Sequence, residues 1–418
     1  SMSGSGATPD ATASGRGVLR FRDFRLFLGA RFAMGLAIQV YDVGVGWYVY
    51  EITRSAWALG LVGLAVFLPH LLLSLIAGEV ADRFDRRLIV TAAFATMGLA
   101  ALGLLVTVVV GSTSALPIYG FAALLGTARA FFMPASQALA PTLVPRESFS
   151  RAIALVSSSW QISTIAGPAL GGLLYAFGPT VVFASAFLAF AAGGVAVFSI
   201  APRPSTHDGS PPSLERLFAG IGFIRSRPAI LGAISLDLFA VLLGGATALL
   251  PIYARDILMT GPWGLGLLRS MPAVGAAMIG LFLARRPIDR RVGPKMFAAV
   301  AVFGAATVVF GLSTSLPLSL ACLFVLGASD MVSVVIRQTL VQHETPDAMR
   351  GRVSAVNSVF IGASNELGQF ESGALAALIG PVGSVVVGGV GTLLVAALWV
   401  RLFPGLAHRD RLIERHGE

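Results

Sequence analysis

The chain has 418 residues, of which 56% are hydrophobic and 12% charged, and its mean hydropathy is +0.81. Soluble domains carry about 25% charged residues, so this composition excludes a water-soluble protein and indicates a bilayer protein. The net charge is +9, from 30 Lys and Arg against 21 Asp and Glu. Because these cations lie almost wholly in short segments between apolar runs, they indicate membrane orientation, and we expect no nucleic-acid partner.

Twelve apolar runs follow one another along the chain, each long enough to cross a bilayer as a helix. Twelve spans of roughly 20 residues use about 240 residues and leave short loops and tails. The predicted fold class is therefore an all-α membrane protein. The predicted spans are 24–50, 56–80, 87–110, 116–139, 151–177, 180–200, 227–253, 263–285, 295–313, 316–338, 352–378 and 382–403.

The basic residues predict how these spans are oriented. About 25 of the 30 fall on one side of the spans, whereas Arg54 and Arg255 fall on the other and Arg31, Arg129 and Arg269 lie within spans. The positive-inside rule then places both termini in the cytoplasm of a bacterium, with the protein crossing its inner membrane. The predicted regions are a cytoplasmic tail (1–23), a six-helix half (24–200), a cytoplasmic linker (201–226), a second six-helix half (227–403) and a cytoplasmic tail (404–418).

The two halves repeat one another weakly. Leu28 to Ala30 and Tyr50 in the first span recur as Leu231 to Ala233 and Tyr253 in the seventh, at an offset of 203 residues. Repeats of this kind place a solute site near the midplane, between the halves.

Three motifs resemble those of the major facilitator superfamily. The run 78–87 resembles the loop signature after the family's second helix, with Asp85 where the family has glycine. Arg129 stands where the family carries an arginine on its fourth helix, and the run 165–172 resembles the helix-five signature associated with antiporters. The resemblance implies two six-helix pseudo-repeats around a central cavity.

The first and third motifs also carry the residues expected to gate that cavity. A carboxylate at Asp82 beside the start of helix 11 would interact with the helix dipole and latch the outward-facing state. Glycines in helix 5 permit close helix approach, and Pro168 permits a kink; static packing is the alternative interpretation. The gating candidates are Gly78, Asp82, Arg83, Arg86, Arg87, Gly167, Pro168, Gly171 and Gly172.

Further stretches resemble one branch of the superfamily, which holds the enterobactin exporter and related drug/proton antiporters. They are the runs 250–255, 350–354 and 364–368. This resemblance implies proton-driven efflux of siderophores, drugs or other amphipathic metabolites, and hence siderophore export or multidrug resistance.

Acidic residues within the spans are the candidates for proton coupling. A charge at the bilayer centre costs roughly 2.5–3.5 kcal/mol and usually marks function, and burial favours the protonated carboxyl that a proton carrier requires. A structural ion pair is the alternative for each. In order of preference the candidates are Asp42, Glu366, Asp237, Asp330 and Glu371.

Polar stripes and aromatic residues predict the wall of the substrate cavity. Arg31, Gly35, Gln39, Asp42 and Gly46 share one face of the first span. Arg31 and Asp42 lie about 16 Å apart along that helix, so each needs a partner on another helix or water. Helix 11 carries two polar stripes and belongs in the interior. The cavity candidates are Arg31, Gln39, Tyr41, Arg129, Phe132, Asn357, Asn365 and Gln369.

Together these patterns predict a monomeric transporter whose partners are a small-molecule substrate, protons and the lipid bilayer. An uptake symporter and a lipid flippase are the alternatives. The five histidines lack metal-ligand spacing, and neither a nucleophile elbow nor a phosphate-binding loop occurs. We therefore expect no enzyme activity, metal or cofactor.

Overall fold

A computed structural model of the protein describes residues 15–204 and 213–412. In these ranges the chain forms twelve long helices and no β-sheet, in agreement with the predicted fold class. The helices are α1 (Arg22–Thr53), α2 (Ala56–Arg83), α3 (Arg86–Val110), α4 (Leu116–Leu139), α5 (Phe149–Tyr175), α6 (Pro179–Phe198), α7 (Pro228–Leu243), α8 (Pro262–Arg285), α9 (Val292–Leu312), α10 (Leu316–Glu344), α11 (Asp347–Ile379) and α12 (Pro381–Leu402).

Most of these helices have the length and hydropathy of a membrane span. Within the described ranges, ten meet both requirements, and the two that do not are α5 and α11. Both lie between other helices: α5 packs against α1 and α8, and α11 packs against α2 and α7. Helices with less lipid contact tolerate more polar residues, so α5 and α11 carry polar groups at the centre of the molecule.

The seventh predicted span is discontinuous. α7 ends at Leu243, and turns of 3₁₀-, α- and π-helix continue the span to Ile257. Gly244 and Gly245 form the break, and the hydroxyl of Ser372 on α11 donates a hydrogen bond to the carbonyl of Gly245. A carbonyl released from a helix within a bilayer needs such a partner, so α11 stabilises the break.

Three other boundaries differ from the predicted ones. α10 runs to Glu344, six residues beyond the predicted end at 338, so that Arg337 lies well inside the helix. The predicted linker contains a helix, Ser213–Ser226, which packs against α11 and is called the linker helix here. A short helix, Pro404–Ala407, follows α12 and packs on α7 and α9. Of the four linker prolines, Pro211 and Pro212 lie outside the described residues.

The helix contacts repeat between the halves. In the first half α1 packs on α5 and α6, α3 on α4 and α6, and α2 on α4. Every one of these contacts recurs between the helices six positions later. In the second half α7 packs on α11 and α12, α9 on α10 and α12, and α8 on α10. Across the halves α2 packs on α11 and α5 on α8, and these contacts are also related by the repeat. The structure therefore confirms two six-helix pseudo-repeats.

The two ends of the helix bundle are called the terminal face and the opposite face. The terminal face is the end where α1 begins at Arg22 and α12 ends at Leu402. The opposite face is the end where α1 ends at Thr53.

Candidate functional site

A cavity of about 100 Å³, called the inner cavity here, lies between the two halves. Helices α1, α2 and α4 line it from the first half, and the turns after α7 together with α8 and α11 line it from the second. Its charged lining residues are Asp42, Arg129, Arg269 and Glu366. Two acids and two arginines thus face one another at the pseudo-repeat interface, where solute sites of this kind of architecture lie.

The guanidinium groups of the inner cavity keep their donors available. Arg129 and Arg269 both act electrostatically on Asp42, yet neither forms an ion pair or hydrogen bond with another residue in the described part of the chain. A Cβ at Gly46 would lie 3.9 Å from Nη1 of Arg269. The guanidinium of Arg269, from the second half, therefore lies beside α1, one turn beyond Asp42.

Two buried polar atoms of the inner cavity also lack partners. The hydroxyl of Tyr41 and Oε2 of Glu366 make no hydrogen bond within the described residues. Buried polar groups normally have a protein or water partner. The inner cavity therefore offers a donor and an acceptor to a ligand, in addition to its charges.

Glycine contacts between the halves close the bundle at the opposite face. A Cβ at Gly373 on α11 would lie 2.6 Å from the Cα of Gly60 on α2. A Cβ at Gly172 on α5 would lie 3.2 Å from the Cα of Gly266 on α8. Both helix pairs therefore touch along their backbones, as small residues allow in membrane helices.

Polar contacts join the halves at the same face. Tyr50 at the end of α1 donates a hydrogen bond to Asp256, which follows α7, and Nη1 of Arg54 lies 3.4 Å from the same carboxylate. The guanidinium of Arg255 lies over the ring of Trp47, 5.6 Å from its centroid. Asp256 thus connects the second half to two residues of the first.

We expect Asp256→Asn to favour opening of the opposite face. The substitution removes an exposed ion pair, worth up to about 1 kcal/mol, and weakens a hydrogen bond of about 1 kcal/mol. Together these correspond to a change of about 5- to 30-fold in population. Labelling of a cysteine at Val45, with Cys322→Ser as background, measures this from the opposite face. Glu79→Gln, which removes an ion pair inside one half, is the control; equal labelling of both variants contradicts the prediction.

The helices diverge toward the terminal face, where they enclose a larger cavity of about 530 Å³ between α2, α4 and α11. It is called the vestibule here. His70 on α2 lines the vestibule, and its Nδ1 lies 3.7 Å from Oε1 of Glu366 on α11. The cavities are adjacent along the chain as well, since Val66 and Glu366 line the inner cavity while Phe67 and Ala363 line the vestibule. The structure is therefore closed at the opposite face and open toward the terminal face.

The family profile described as Transmembrane secretion effector matches residues 13–411, nearly the whole chain. The chain belongs to this family of the major facilitator superfamily. Its members are transporters, and the family match confirms the prediction that this chain is not an enzyme.

Curated relatives of the chain include the enterobactin exporter EntS. EntS of Escherichia coli is 27% identical over 398 residues, covering 92% of each chain. EntS of Citrobacter koseri is 28% identical over 392 residues, covering 91% of each chain. The predicted resemblance to the branch of that exporter is confirmed.

Solved structures share the fold of this chain at low sequence identity. A bacterial homologue of the iron transporter ferroportin, in an inward-facing state, has a TM-score of 0.73 and 17% identity, covering 93% of this chain and 99% of that one. The nucleoside transporter NupG has a TM-score of 0.72 and 13% identity, covering 91% and 100%. These similarities confirm the fold predicted from the motifs.

Three further predicted site residues meet in a neighbouring cavity of about 350 Å³, lined mainly by the second half. Gln39 from α1, Asp330 from α10 and Asn365 from α11 line it. Arg269 and Gln369 line both this cavity and the inner cavity. The two cavities therefore adjoin at Arg269.

Asp237 lies behind this region, in a buried ion pair with Arg337. The guanidinium side chain is 3% exposed and the carboxylate 11%. Asp330 shares a small cavity with Asp237 and is within electrostatic range of both partners. Asp237 therefore forms a structural ion pair. Such a pair is the alternative to proton coupling that was stated above for each acid.

Arg31 does not line the inner cavity. Its Nη1 lies 3.3 Å from Oγ of Ser136, and its guanidinium lies over the ring of Phe132 at 5.3 Å from the centroid. Phe132 is fully buried and packs edge-on against Phe94. The partners of Arg31 both lie on α4, and Asp42 lies apart from them in the inner cavity.

Two candidates on α11 lie outside the cavities described above. Glu371 is half-buried and accepts a hydrogen bond of 3.4 Å from Ser372. Asn357 is half-buried near the terminal end of α11. The structure does not bring either residue to the inner cavity.

The arginines of the predicted loop motif contact their own half. Arg86 donates to the carbonyls of Ala81 and Ala138, and Arg87 donates to those of Phe198 and Ile200. These contacts join the ends of α2, α4 and α6 to the loop after α2. The loop is thus part of the rigid first half.

The acids of this loop differ from one another. Asp85 has an ordinary φ of −61° and accepts a hydrogen bond from the N–H of Arg87, so it caps α3 and needs no glycine. Asp82 forms no ion pair or hydrogen bond with another described residue, and Arg83 pairs with Glu79 on α2. In this open state the predicted contact of Asp82 with helix 11 is thus not made through an ion pair or hydrogen bond.

Gly78, the remaining gating candidate of this motif, is half-buried at the terminal end of α2.

The helix-five candidates lie at helix contacts. A Cβ at Gly167 would lie 2.6 Å from Cβ of Gln39, and one at Gly171 would lie 3.1 Å from the Cα of Val40. Pro168 is buried in α5, and the carbonyl of Ile165 in the preceding turn accepts a 2.7 Å hydrogen bond from Ser270 on α8. α5 is thus packed on α1 and hydrogen-bonded to the other half.

Sequence reasoning missed several residues of this region. Arg269 was recognised as a charge within a span but was not placed in the site. Its position within a span is the same indication of function as that of Arg129. His70 lies 28 residues after Asp42 and on the next helix, so no periodicity within a helix relates the two residues. Arg337 lay at the end of the predicted span 316–338 and was counted only as one of the basic residues that set the orientation. Its spacing of seven residues from Asp330, two helical turns, indicates a shared face.

Proposed function

We propose that the protein is a secondary active exporter, which moves an amphipathic small molecule such as a siderophore, drug or metabolite out of the cell by proton antiport. Alternating access between the halves would expose the inner cavity to each side in turn. The observation that carries the proposal is the inner cavity itself: two carboxylates at the interface, closed at one face and open at the other. The EntS similarity supports export as the direction, and the basic loops support the cytoplasm as the terminal side.

Charge competition explains how such a site couples protons to export. A cationic or hydrogen-bond-donating substrate interacts with the carboxylates of Asp42 and Glu366 in their ionised form. Protonation of either acid removes that interaction, so proton and substrate bind in alternation. A site that binds them alternately exchanges one for the other across the membrane.

The test uses proteoliposomes with an internal pH indicator and an imposed proton gradient. Enterobactin and the fluorescent cation ethidium are added to wild type, Asp42→Asn and Glu366→Gln. We expect substrate to trigger proton flux in wild type, and the flux to fall at least about 10-fold in the variant that removes the carrier. Glu371→Gln, outside the inner cavity, is the matched control. Absence of flux in wild type with every compound contradicts proton antiport.

A second candidate, symport of an acidic solute with protons, is supported by the free guanidinium donors of Arg129 and Arg269. An anion bound there competes with the charge of Asp42, so protonation of Asp42 strengthens anion binding and the two move together. The same experiment separates the candidates by sign. Antiport moves protons against the substrate, and symport moves them with it.

A further inference from the structure

We propose that His70 is the proton relay between the vestibule and Glu366. This inference rests on the proposed proton coupling and names a residue for it. The imidazole lines the vestibule, and its Nδ1 lies 3.7 Å from Oε1 of Glu366, which lines the inner cavity. His70 therefore stands where the two cavities adjoin.

Exposure supports the direction of the relay. The His70 side chain is 28% exposed, whereas that of Glu366 is 12% exposed. Oε2 of Glu366 is buried without a hydrogen-bond partner in the described part of the chain. A proton from water in the vestibule thus reaches the imidazole more readily than the carboxylate.

Among the described residues that line the vestibule, His70 meets no competing ionisable group. The other residues lining it on α2, α4 and α11 are apolar, Ser, Gln or Gly. The charged groups on the far side of Glu366 are Asp42 from α1, Arg129 from α4 and Arg269 from α8. Seen from the vestibule, these groups lie behind Glu366. Among the described residues that line the vestibule, His70 is therefore the one with a titratable side chain.

The relay step conserves charge on the imidazole. Nε2 takes a proton from hydronium in the vestibule, which leaves water, and Nδ1 releases its own proton to Oε1 of Glu366, which becomes neutral. Since these two atoms are 3.7 Å apart in this structure, one bridging water carries the transfer. Rotation of the ring restores the starting tautomer. Because Glu366 and His70 belong to different halves, movement of α2 against α11 would also change their separation during the transport cycle.

The test compares His70→Gln with wild type in proteoliposomes, using ethidium and enterobactin as probes. Glutamine keeps a polar side chain but cannot transfer a proton. We expect substrate exchange without a proton gradient to stay within about twofold of wild type, while gradient-driven transport falls about 100-fold or more, as on loss of one positioned proton-transfer group. His343→Gln, exposed at the terminal end of α10, is the matched control and should change neither rate.

A second variant separates relay from structure. In His70→Ala, imidazole added on the terminal side should restore gradient-driven transport, because a free imidazole performs the same proton transfer. Full gradient-driven transport in His70→Gln overturns the inference, and so does loss of exchange in both variants without imidazole rescue, which would make His70 a structural tether. Wild type without proton flux overturns the proposed coupling itself, which a defect confined to the variants does not.

Discussion

Replacing Gly373 with valine is expected to prevent closure of the opposite face and to reduce transport at least about 10-fold. A Cβ at this position would lie 2.6 Å from the Cα of Gly60 and 2.9 Å from the carbonyl oxygen of Ala56. Backbone atoms cannot rotate away as a side chain does, so α2 and α11 must separate. Overpacking of this kind costs about 1–3 kcal/mol, and every state with this face closed bears that cost.

Labelling of a single cysteine measures the effect. A cysteine at Val62, which lines the inner cavity, is added to a Cys322→Ser background and treated with a membrane-impermeant maleimide from the opposite face. Gly373→Val should raise the labelling rate. Gly120→Val is the control, because a Cβ at Gly120 meets nothing within 4 Å. Unchanged labelling and transport in Gly373→Val would show that the glycine contact does not close this face.

Replacing Asp237 with alanine is expected to destabilise the protein by about 3–5 kcal/mol. Arg337 is 2% exposed, and loss of Asp237 leaves its charge buried in the bundle without the counter-ion that it contacts. Breaking a buried pair from one side costs far more than removing both members. The double variant Asp237→Ala, Arg337→Met should therefore recover much of the stability.

Thermal unfolding in detergent tests this prediction. Asp347→Ala is the control, since it breaks an Asp–Arg pair with side chains that are 88% and 54% exposed and worth about 0–1 kcal/mol. If Asp237→Ala unfolds at the wild-type temperature, the ion pair is not structural. If it is stable but loses proton flux, the alternative role in proton coupling is supported instead.

Much of the fold was predictable because a bilayer imposes its own length on each helix. About 20 apolar residues are needed per span, and the predicted α2, α4 and α8 agree with the structure to within a few residues. The break after α7 was not predictable from hydropathy, because Gly244 and Gly245 lie within a stretch, Pro228–Ile257, whose mean hydropathy of 2.0 is that of one continuous span. It depends on Ser372, 127 residues later, to satisfy the carbonyl of Gly245.

The candidate site shows the same division. An intramembrane charge is visible in one sequence because lipid makes it costly, so Asp42, Arg129 and Glu366 were found, and they meet in one cavity. Their partners were not found, because hydrophobic periodicity within a helix carries no information about the neighbouring helix. The contact of His70 with Glu366 joins α2 to α11 over a sequence separation of 296 residues.

The sequence by itself determined that the chain crosses a membrane twelve times in two related halves, and which charges lie inside. Those properties follow from the transfer free energy of individual residues into lipid. Only the tertiary structure decided which charges meet, which face is closed and where His70 stands. These depend on helix packing, where glycine contacts such as Gly60 with Gly373 set the distance between helices, and packing is a property of pairs of surfaces rather than of single segments.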